Sequence, residues 1–280
     1  MDVGSFLAHS VQTLTTAGIA TARLDCLVLL EDVLGMDRAQ LLAHPEKKLT
    51  IAQEERLDKA IAERKTHRPL AYIRGKADFY GRTFQVNEHV LVPRPETEMM
   101  IDLLLQLSLE EHPKIADIGT GSGCLGITAA LELAKQSSTS TPEQKTSDVW
   151  LCDIDPSALG VAQANATALN ATVYTAKADL GDPCNTKQFD VVLANLPYVP
   201  DHFPVNDAAT FEPKLALFSG ADGLDAYRTF WQQLSITKYK PSFILTESLP
   251  FQHHPVALLA RKAGFALERS EGLIQLFNQI

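Results

Sequence analysis

Apolar residues recur at helical spacing through the first seventy positions. Phe6, Leu7, Val11 and Leu14 share one face, followed by Leu24, Leu27, Val28 and Leu30, by Leu41 and Leu42, and by Leu57, Ala60 and Ile61. Thr50 with Gln53 three residues later forms a capping box that opens the last of these helices, and Gly18 and Gly35 stand where helices can stop. Residues 1–70 are therefore expected to form a small all-helical domain. From Pro69 the texture turns extended and aromatic, in Leu70-Ala-Tyr-Ile73 and Phe79-Tyr80, punctuated by Gly75 and Gly81. Phe84 and Val86 then alternate toward Val90-Leu91-Val92, so residues 71–92 read as a hairpin linker.

Beyond Pro95 the period switches back and forth. A helix carrying Met99, Leu103 and Leu104 precedes a strand at Lys114–Asp117, a glycine turn and a helix through Leu125–Ala134. Further apolar strands are predicted at Val149–Cys152, Val173–Ala176, Phe189–Ala194 and Phe243–Thr246, with an amphipathic segment at Ala158–Leu169. The tail, Phe265–Glu268 and Leu273–Phe277 around Glu271-Gly272, reads as a terminal hairpin. The fold class expected for residues 93–280 is α/β, a doubly wound and mostly parallel sheet ending in an antiparallel hairpin. Gln136–Ser147 is polar, rich in Ser and Thr, and reads as a solvent loop inserted between a helix and the next strand.

Composition narrows the function classes. The 280 residues carry 25 Lys plus Arg against 34 Asp plus Glu, a net charge of −9. That balance argues against direct nucleic-acid binding, which needs basic residues to replace phosphate counterions. The four cysteines form no CxxC pair and the eight histidines no HExxH, so no metal is expected, and a reduced cytoplasmic setting fits the sparse cysteines. Residues 1–20 show no basic region ahead of an apolar stretch, and no apolar run reaches membrane-spanning length, so neither export signal nor membrane partner is expected.

The segment Asp117-Ile118-Gly119-Thr120-Gly121-Ser122-Gly123 lies between a predicted strand and helix. Glycines there admit close backbone approach, and a helix start offers free N–H groups, as a nucleotide-type cofactor requires. The spacing is GxGxG, with Cys124 where a dinucleotide fingerprint has its last glycine, which favours an adenosyl cofactor without a pyrophosphate. Asp153 ends the second strand, where a carboxylate can accept from both ribose hydroxyls. It lies 34 residues beyond Gly119, and the polar insertion accounts for most of the excess over the usual spacing of about 20. Asp155 before Pro156 reads as a helix N-cap. Asp179, ending the third strand, is a candidate acceptor for an adenine amino group, with Leu180 packing on the ring.

The strand Phe189–Ala194 runs into Asn195-Leu196-Pro197-Tyr198. In open α/β sheets ligands bind at the carboxyl ends of strands, which places this tetrapeptide beside the cofactor. Its chemistry suits a planar nitrogen. An amide or exocyclic amine has a delocalised lone pair and must be aimed at the electrophile. The Asn195 side-chain oxygen and the Leu196 carbonyl can each accept one N–H of an NH₂ group, and the Tyr198 ring can cover it. Pro197 holds Leu196 extended. No metal and no covalent intermediate is required.

Asp117–Gly123, Asp153 and Asn195–Tyr198 resemble class I S-adenosylmethionine-dependent methyltransferases acting on planar nitrogen. Arg68-Pro-Leu-Ala-Tyr-Ile-Arg-Gly75, Phe79-Tyr-Gly81, Phe84 and Val92-Pro-Arg-Pro-Glu-Thr-Glu98 narrow the resemblance to peptide chain release factor glutamine methyltransferases. Glu212-Pro213, Ala216-Leu217 and Gly220-Ala-Asp-Gly-Leu224 are similar to a later signature of that family, so the resemblance spans essentially the whole chain. It implies methyl transfer from S-adenosylmethionine to the side-chain amide nitrogen (N5) of the glutamine in the Gly-Gly-Gln loop of release factors. By the same resemblance Asp117, Gly119, Thr120, Gly121, Ser122, Gly123, Asp153, Asp179, Leu180 and Asn195 hold the cofactor. Asn195, Leu196, Pro197 and Tyr198 receive the glutamine, and the helical domain recognises the release factor. One position departs: the family usually reads Asn-Pro-Pro-Tyr, and Asn-Leu-Pro-Tyr is more familiar from adenine-N6 methyltransferases of ribosomal RNA. Adenine-N6 methylation of RNA or DNA is therefore the alternative. Arg94, Glu96 and Glu98 either brace the active-site wall or favour a helix N-terminus, and Glu247 either positions substrate or caps a turn.

Overall fold

The computed structural model describes residues 1–137 and 147–280, so most of the predicted polar loop lies outside the described residues. The described chain divides into two compact units, Met1–Lys76 with Val205–Phe211, and Ala77–Pro204 with Glu212–Ile280.

The first unit is helical: α1 (Val3–Thr16), α2 (Ala22–Leu34), α3 (Arg38–Ala43), α4 (Ile51–Lys65) and α5 (Leu70–Arg74). Phe6, Leu14, Leu30, Leu41 and Leu57 are its fully buried centre. The Thr50–Gln53 capping box is formed in both directions, and Gly35 closes α2 in the left-handed conformation. Arg64 pairs with the buried Asp25 at 2.7 Å and also donates to Arg68 O. The expectation of an extended segment at Leu70–Ile73 is corrected: these residues form a helical turn between Pro69 and left-handed Gly75. The reason is spacing. Leu70 and Ile73, three apart, both pack on the helical core, which strand alternation would put on opposite faces.

The second unit opens with a hairpin, β1 (Lys76–Phe79) and β2 (Arg82–Gln85), whose turn residues Tyr80 and Gly81 both have positive φ. A single 3-10 turn (Pro95–Thr97) leads into α6 (Glu98–Leu104), followed by β3 (Lys114–Ile118), α7 (Cys124–Ser137), β4 (Asp148–Asp153), α8 (Pro156–Ala168), β5 (Tyr174–Lys177), the short α9 (Pro183–Thr186) and β6 (Val191–Ala194). The chain continues through α10 (Lys214–Leu217), α11 (Asp225–Ile236), β7 (Phe243–Glu247), α12 (His253–Lys262), β8 (Phe265–Glu271) and β9 (Ile274–Gln279).

The sheet order is β5-β4-β3-β6-β7-β9-β8, parallel from β5 to β7, with β9 antiparallel to both neighbours. Successive residues feed opposite cores. Ile115, Val191 and Leu193 face α6, α7 and α8, whereas Ala116, Val192 and Ala194 face α11 and α12. Burial on both faces is why these strands are continuously apolar. Tyr227, Phe230, Trp231 and Leu234 supply the buried stripe of α11, at the helical spacing i, i+3, i+4, i+7.

The strand order reverses between β3 and β6, which makes the gap beyond their carboxyl ends the switch point of the fold. Ile118 is in register with both Cys152 and Ala194, so Gly119, Asp153 and Asn195 leave the sheet side by side. Buried Asn165 of α8 exchanges hydrogen bonds with the Gln85 backbone, 2.7 and 2.9 Å, and donates to Ser122 O at 2.8 Å. One side chain thus ties the hairpin to the glycine turn.

Candidate active site

The glycine turn is held from below by Asp117. Its Oδ2 accepts from Gly126 N at 2.8 Å and from Thr120 Oγ1 at 2.5 Å, and Asp117 is 1% exposed. Burial pushes its carboxyl up to about 6 against those two hydrogen bonds. At Gly123 a Cβ would stand 2.8 Å from Ile127 Cδ1 and 3.2 Å from Ala162 Cβ, so the absence of a side chain lets α7 start against α8. Asp153 closes the turn from the side: Oδ2 accepts from Gly121 N and Oδ1 from Asp155 N, each at 2.9 Å. Burial raises its pKa, and these backbone donors pull the other way. Asp155 caps α8 by accepting from Ser157 N.

A cavity of about 260 Å³ lies over this turn. Among its lining residues are Gly119–Ser122, Asp153, Asp179 with Leu180, and Asn195–Pro197. Ten of the predicted positions therefore meet at one space. Asp117, Gly123 and Tyr198 are not in that lining: the first two support the turn, and the Tyr198 hydroxyl is bonded to Glu247 instead. Leu180 is in the left-handed region at φ +47°, a rare conformation for a non-glycine residue, which turns the chain sharply after β5.

Leu196 is 1% exposed and packs with Ala194 and Tyr227, so its larger side chain is absorbed by the core while its backbone carbonyl is retained. Tyr227 Oη lies 2.6 Å from Glu247 O and 3.1 Å from Ala194 O, bracing the ends of β6 and β7. Tyr198 Oη donates to Glu247 Oε1 at 2.8 Å, and Asn195 Nδ2 donates to Thr97 Oγ1 at 3.2 Å. Burial raises the pKa of Glu247, and burial followed by the adjacent Glu247 raises that of Tyr198.

The distant motifs converge here as well. Buried Glu212 accepts from Arg94 Nη2 at 2.5 Å and from Val92 N at 3.1 Å, so the later signature clamps the earlier one. Glu98 accepts from Tyr80 N at 2.7 Å, tying α6 to the hairpin, and Glu96 is exposed. Sequence reasoning had not singled out Thr97 as a contact of Asn195. The two are 98 positions apart and no periodic signal links them.

Gly223 shows what the later signature protects. A Cβ there would stand 2.1 Å from Tyr198 O and 2.6 Å from Gln252 Nε2, which itself donates to Tyr198 O. Gly223→Ala is expected to destabilise by about 1–3 kcal/mol through overpacking, added to a left-handed strain of about 1–2 kcal/mol. Gly272→Ala, at positive φ but facing open space, carries the strain alone. Urea denaturation of the two variants checks this, and equal losses would mean that the Tyr198 loop gives way freely.

Among the described residues no group of three or more His, Cys, Asp or Glu is placed to hold a metal ion. No described helix is long and apolar enough to cross a membrane. The four cysteines are free thiols, each pushed up to about 12 chiefly by burial.

Residues 5–75 match the family described as PrmC N-terminal domain, and residues 97–210 the family described as Methyltransferase small domain. A release factor glutamine methyltransferase of Koribacter versatilis is 38% identical over 230 residues, covering 80% of this chain and 78% of that one. One of Bacillus cereus is 36% identical over 248 residues, covering 84% and 83%. Among solved structures, the hMettl16 catalytic domain in complex with the MAT2A 3′UTR hairpin 1 superposes with a TM-score of 0.52 at 12% identity, covering 82% of this chain and 80% of that one, a likeness of fold. Over a third of residues shared along about four-fifths of each relative, together with the site just described, establish that the chain belongs to the release factor glutamine methyltransferase family.

Proposed function

We propose that this protein transfers a methyl group from S-adenosylmethionine to the side-chain amide nitrogen of the glutamine in the Gly-Gly-Gln motif of translation release factors. The observation that carries this reading is the meeting of the glycine turn, Asp153 and Asn195–Pro197 around one cavity at the switch point of the sheet.

The donor set fits the cofactor. Asp153 keeps carboxylate lone pairs beyond the two backbone donors it already serves, as a ribose diol requires. Asp179 and Leu180 stand where an adenine edge and face would be met, and the glycine turn admits close approach of the rest. Bound there, S-adenosylmethionine supplies an electrophilic methyl group on a sulfonium.

The protein's part is orientation. The Asn195 side-chain oxygen and the Leu196 carbonyl each accept one N–H of the glutamine amide, which aims its nitrogen and favours the positive charge that develops on it. Methyl transfer to the neutral amide leaves a cationic nitrogen still carrying both protons; that cation is strongly acidic, so one proton passes to water without a strong base. The helical unit provides contact area for the release factor beyond one loop. Such a substrate places the enzyme in the cytoplasm. Adenine methylation is not carried forward, because the relatives above are named for glutamine.

The test is transfer of radiolabel from S-adenosylmethionine to a purified release factor, its Gln-to-Ala variant in the Gly-Gly-Gln loop, and ribosomal RNA. Label in the wild-type factor alone is expected. Label in RNA instead would move the protein to the adenine class.

A further inference from the structure

We infer that Gln252 is a positioning residue for the methyl transfer: it holds the far end of the Asn195–Tyr198 segment, so that the Leu196 carbonyl keeps its aim. The inference rests on the proposed reading of that carbonyl as an acceptor for the glutamine amide, and adds what keeps it in place.

The segment cannot hold itself. Pairing of β6 with β3 and β7 stops at Ala194, and Pro197 has no N–H to give. Two buried side chains take the carbonyls at its ends instead. At the near end Tyr227 Oη lies 3.1 Å from Ala194 O, and at the far end Gln252 Nε2 donates to Tyr198 O at 2.8 Å. Between them no described residue donates to the Leu196 carbonyl, which stays available to a substrate.

Gln252 is 1% exposed, and both polar atoms of its amide are engaged. Nε2 gives its second proton to Asp222 O at 2.9 Å, and Oε1 accepts from Leu249 N at 2.9 Å. Facing two carbonyls and one N–H, the amide has a single orientation that makes all three bonds; turned over, it makes none. One side chain therefore joins the substrate segment, the Gly220–Leu224 signature and the turn after β7. The other two partners are themselves fixed. The Asp222 carboxylate pairs with Arg228 Nη1 and Nη2 at 2.9 and 2.5 Å, and Leu249 leads directly into the 3-10 turn Pro250–Gln252. Gly223 admits this arrangement, since a Cβ there would meet both Tyr198 O and Gln252 Nε2. The later signature thus backs the residue that holds the acceptor segment.

The test uses the full-length protein, with kcat expressed per cofactor-binding site from titration calorimetry so that unfolded molecules are not counted. Gln252→Met keeps the length and removes the three bonds. It is expected to lower kcat about 10- to 100-fold, with the Kd for S-adenosylmethionine within about threefold of wild type. Leu276→Ala, in the core and outside the cavity lining, is the control for lost stability. Its melting temperature should fall while its kcat per site stays within about twofold of wild type. Gln252→Glu adds a signature that a purely structural role would not show. As a carboxylate the new side chain donates to neither carbonyl, and burial raises its pKa. Once protonated it donates to one carbonyl and accepts from Leu249 N. Its kcat relative to wild type should therefore climb as the pH falls from about 9 to about 6, while that of Gln252→Met stays flat. Wild-type kcat per site in Gln252→Met, an equal loss in Leu276→Ala, or a profile for Gln252→Glu as flat as that of Gln252→Met overturns the proposal.

A second readout needs no turnover. Just beyond the segment, Val199 N donates to Leu217 O at 2.9 Å and Ser219 N to Val199 O at 3.0 Å. Hydrogen exchange of these two amides should quicken at least about tenfold more in Gln252→Met than in Leu276→Ala. Equal exchange in the two variants refutes the positioning role even if the enzyme is active. If the wild-type protein binds the cofactor and methylates no release factor, the substrate reading fails by itself, and exchange still decides whether Gln252 holds the segment.

Discussion

Asn195→Ala is expected to cut kcat for release-factor methylation about 10²- to 10³-fold, the usual cost of losing one preorganised polar contact to a developing charge. The size follows from the substrate. A glutamine amide nitrogen is a poor nucleophile because its lone pair is spread over the carbonyl, so little of the rate can come from intrinsic reactivity and much from holding the nitrogen in line. Two acceptors do this in the proposed site, and the substitution removes only the side-chain one. The Leu196 carbonyl survives, which keeps a residual rate. Cofactor affinity should stay within about threefold of wild type, since the glycine turn and Asp153 are untouched. Single-turnover methylation and calorimetric binding separate the two effects. Full turnover in the variant would remove Asn195 from the reacting centre.

The parts of this site that were legible in the sequence share a physical cause. A parallel strand buried on both faces must be a continuous apolar run, and the residue that ends it must be polar or glycine where a ligand is met. Asp117–Gly123, Asp153 and Asn195–Tyr198 stand at three such ends, so order along the chain was enough to bring Gly119–Ser122, Asp153 and Asn195–Pro197 to one cavity. Leu70–Ile73 was misread because four residues cannot distinguish a period of 2 from 3.6 when an aromatic lies among them. The α11 helix went unremarked although its pattern of Tyr227, Phe230, Trp231 and Leu234 was present. The contact between Thr97 and Asn195 had no local trace. It exists only because the turn before α6 and the end of β6 are brought together by the sheet, and hydrogen-bond partners at that separation leave no period to detect. Asp117 was legible as part of the motif, but burial decides its place, beneath the turn and facing Gly126 and Thr120.

Asp153→Ala is expected to raise the Kd for S-adenosylmethionine at least about 100-fold, with the fold retained. The carboxylate does two things at once. Through Gly121 N and Asp155 N it joins the glycine turn to the end of β4 and the start of α8, and in the proposed function its remaining lone pairs accept from the ribose. Hydrogen bonds to a charged partner are worth about 1.5–3 kcal/mol each, so losing one to each hydroxyl is already worth two or more decades at about 1.4 kcal/mol per decade. Asp153→Asn distinguishes the two tasks. An amide presents one oxygen and one NH₂, so it cannot accept from both Gly121 N and Asp155 N. If the carboxylate mattered only through the turn, Asn and Ala would weaken binding alike and thermal stability would fall with it. If the ribose contact dominates, Asn retains one acceptor and should bind more tightly than Ala, while the melting temperatures of the two apoproteins stay close. Titration calorimetry with the cofactor and its demethylated product reads the affinities. Binding within about threefold of wild type in Asp153→Ala would leave Asp153 a turn residue and move the ribose-binding role to another side chain of the cavity.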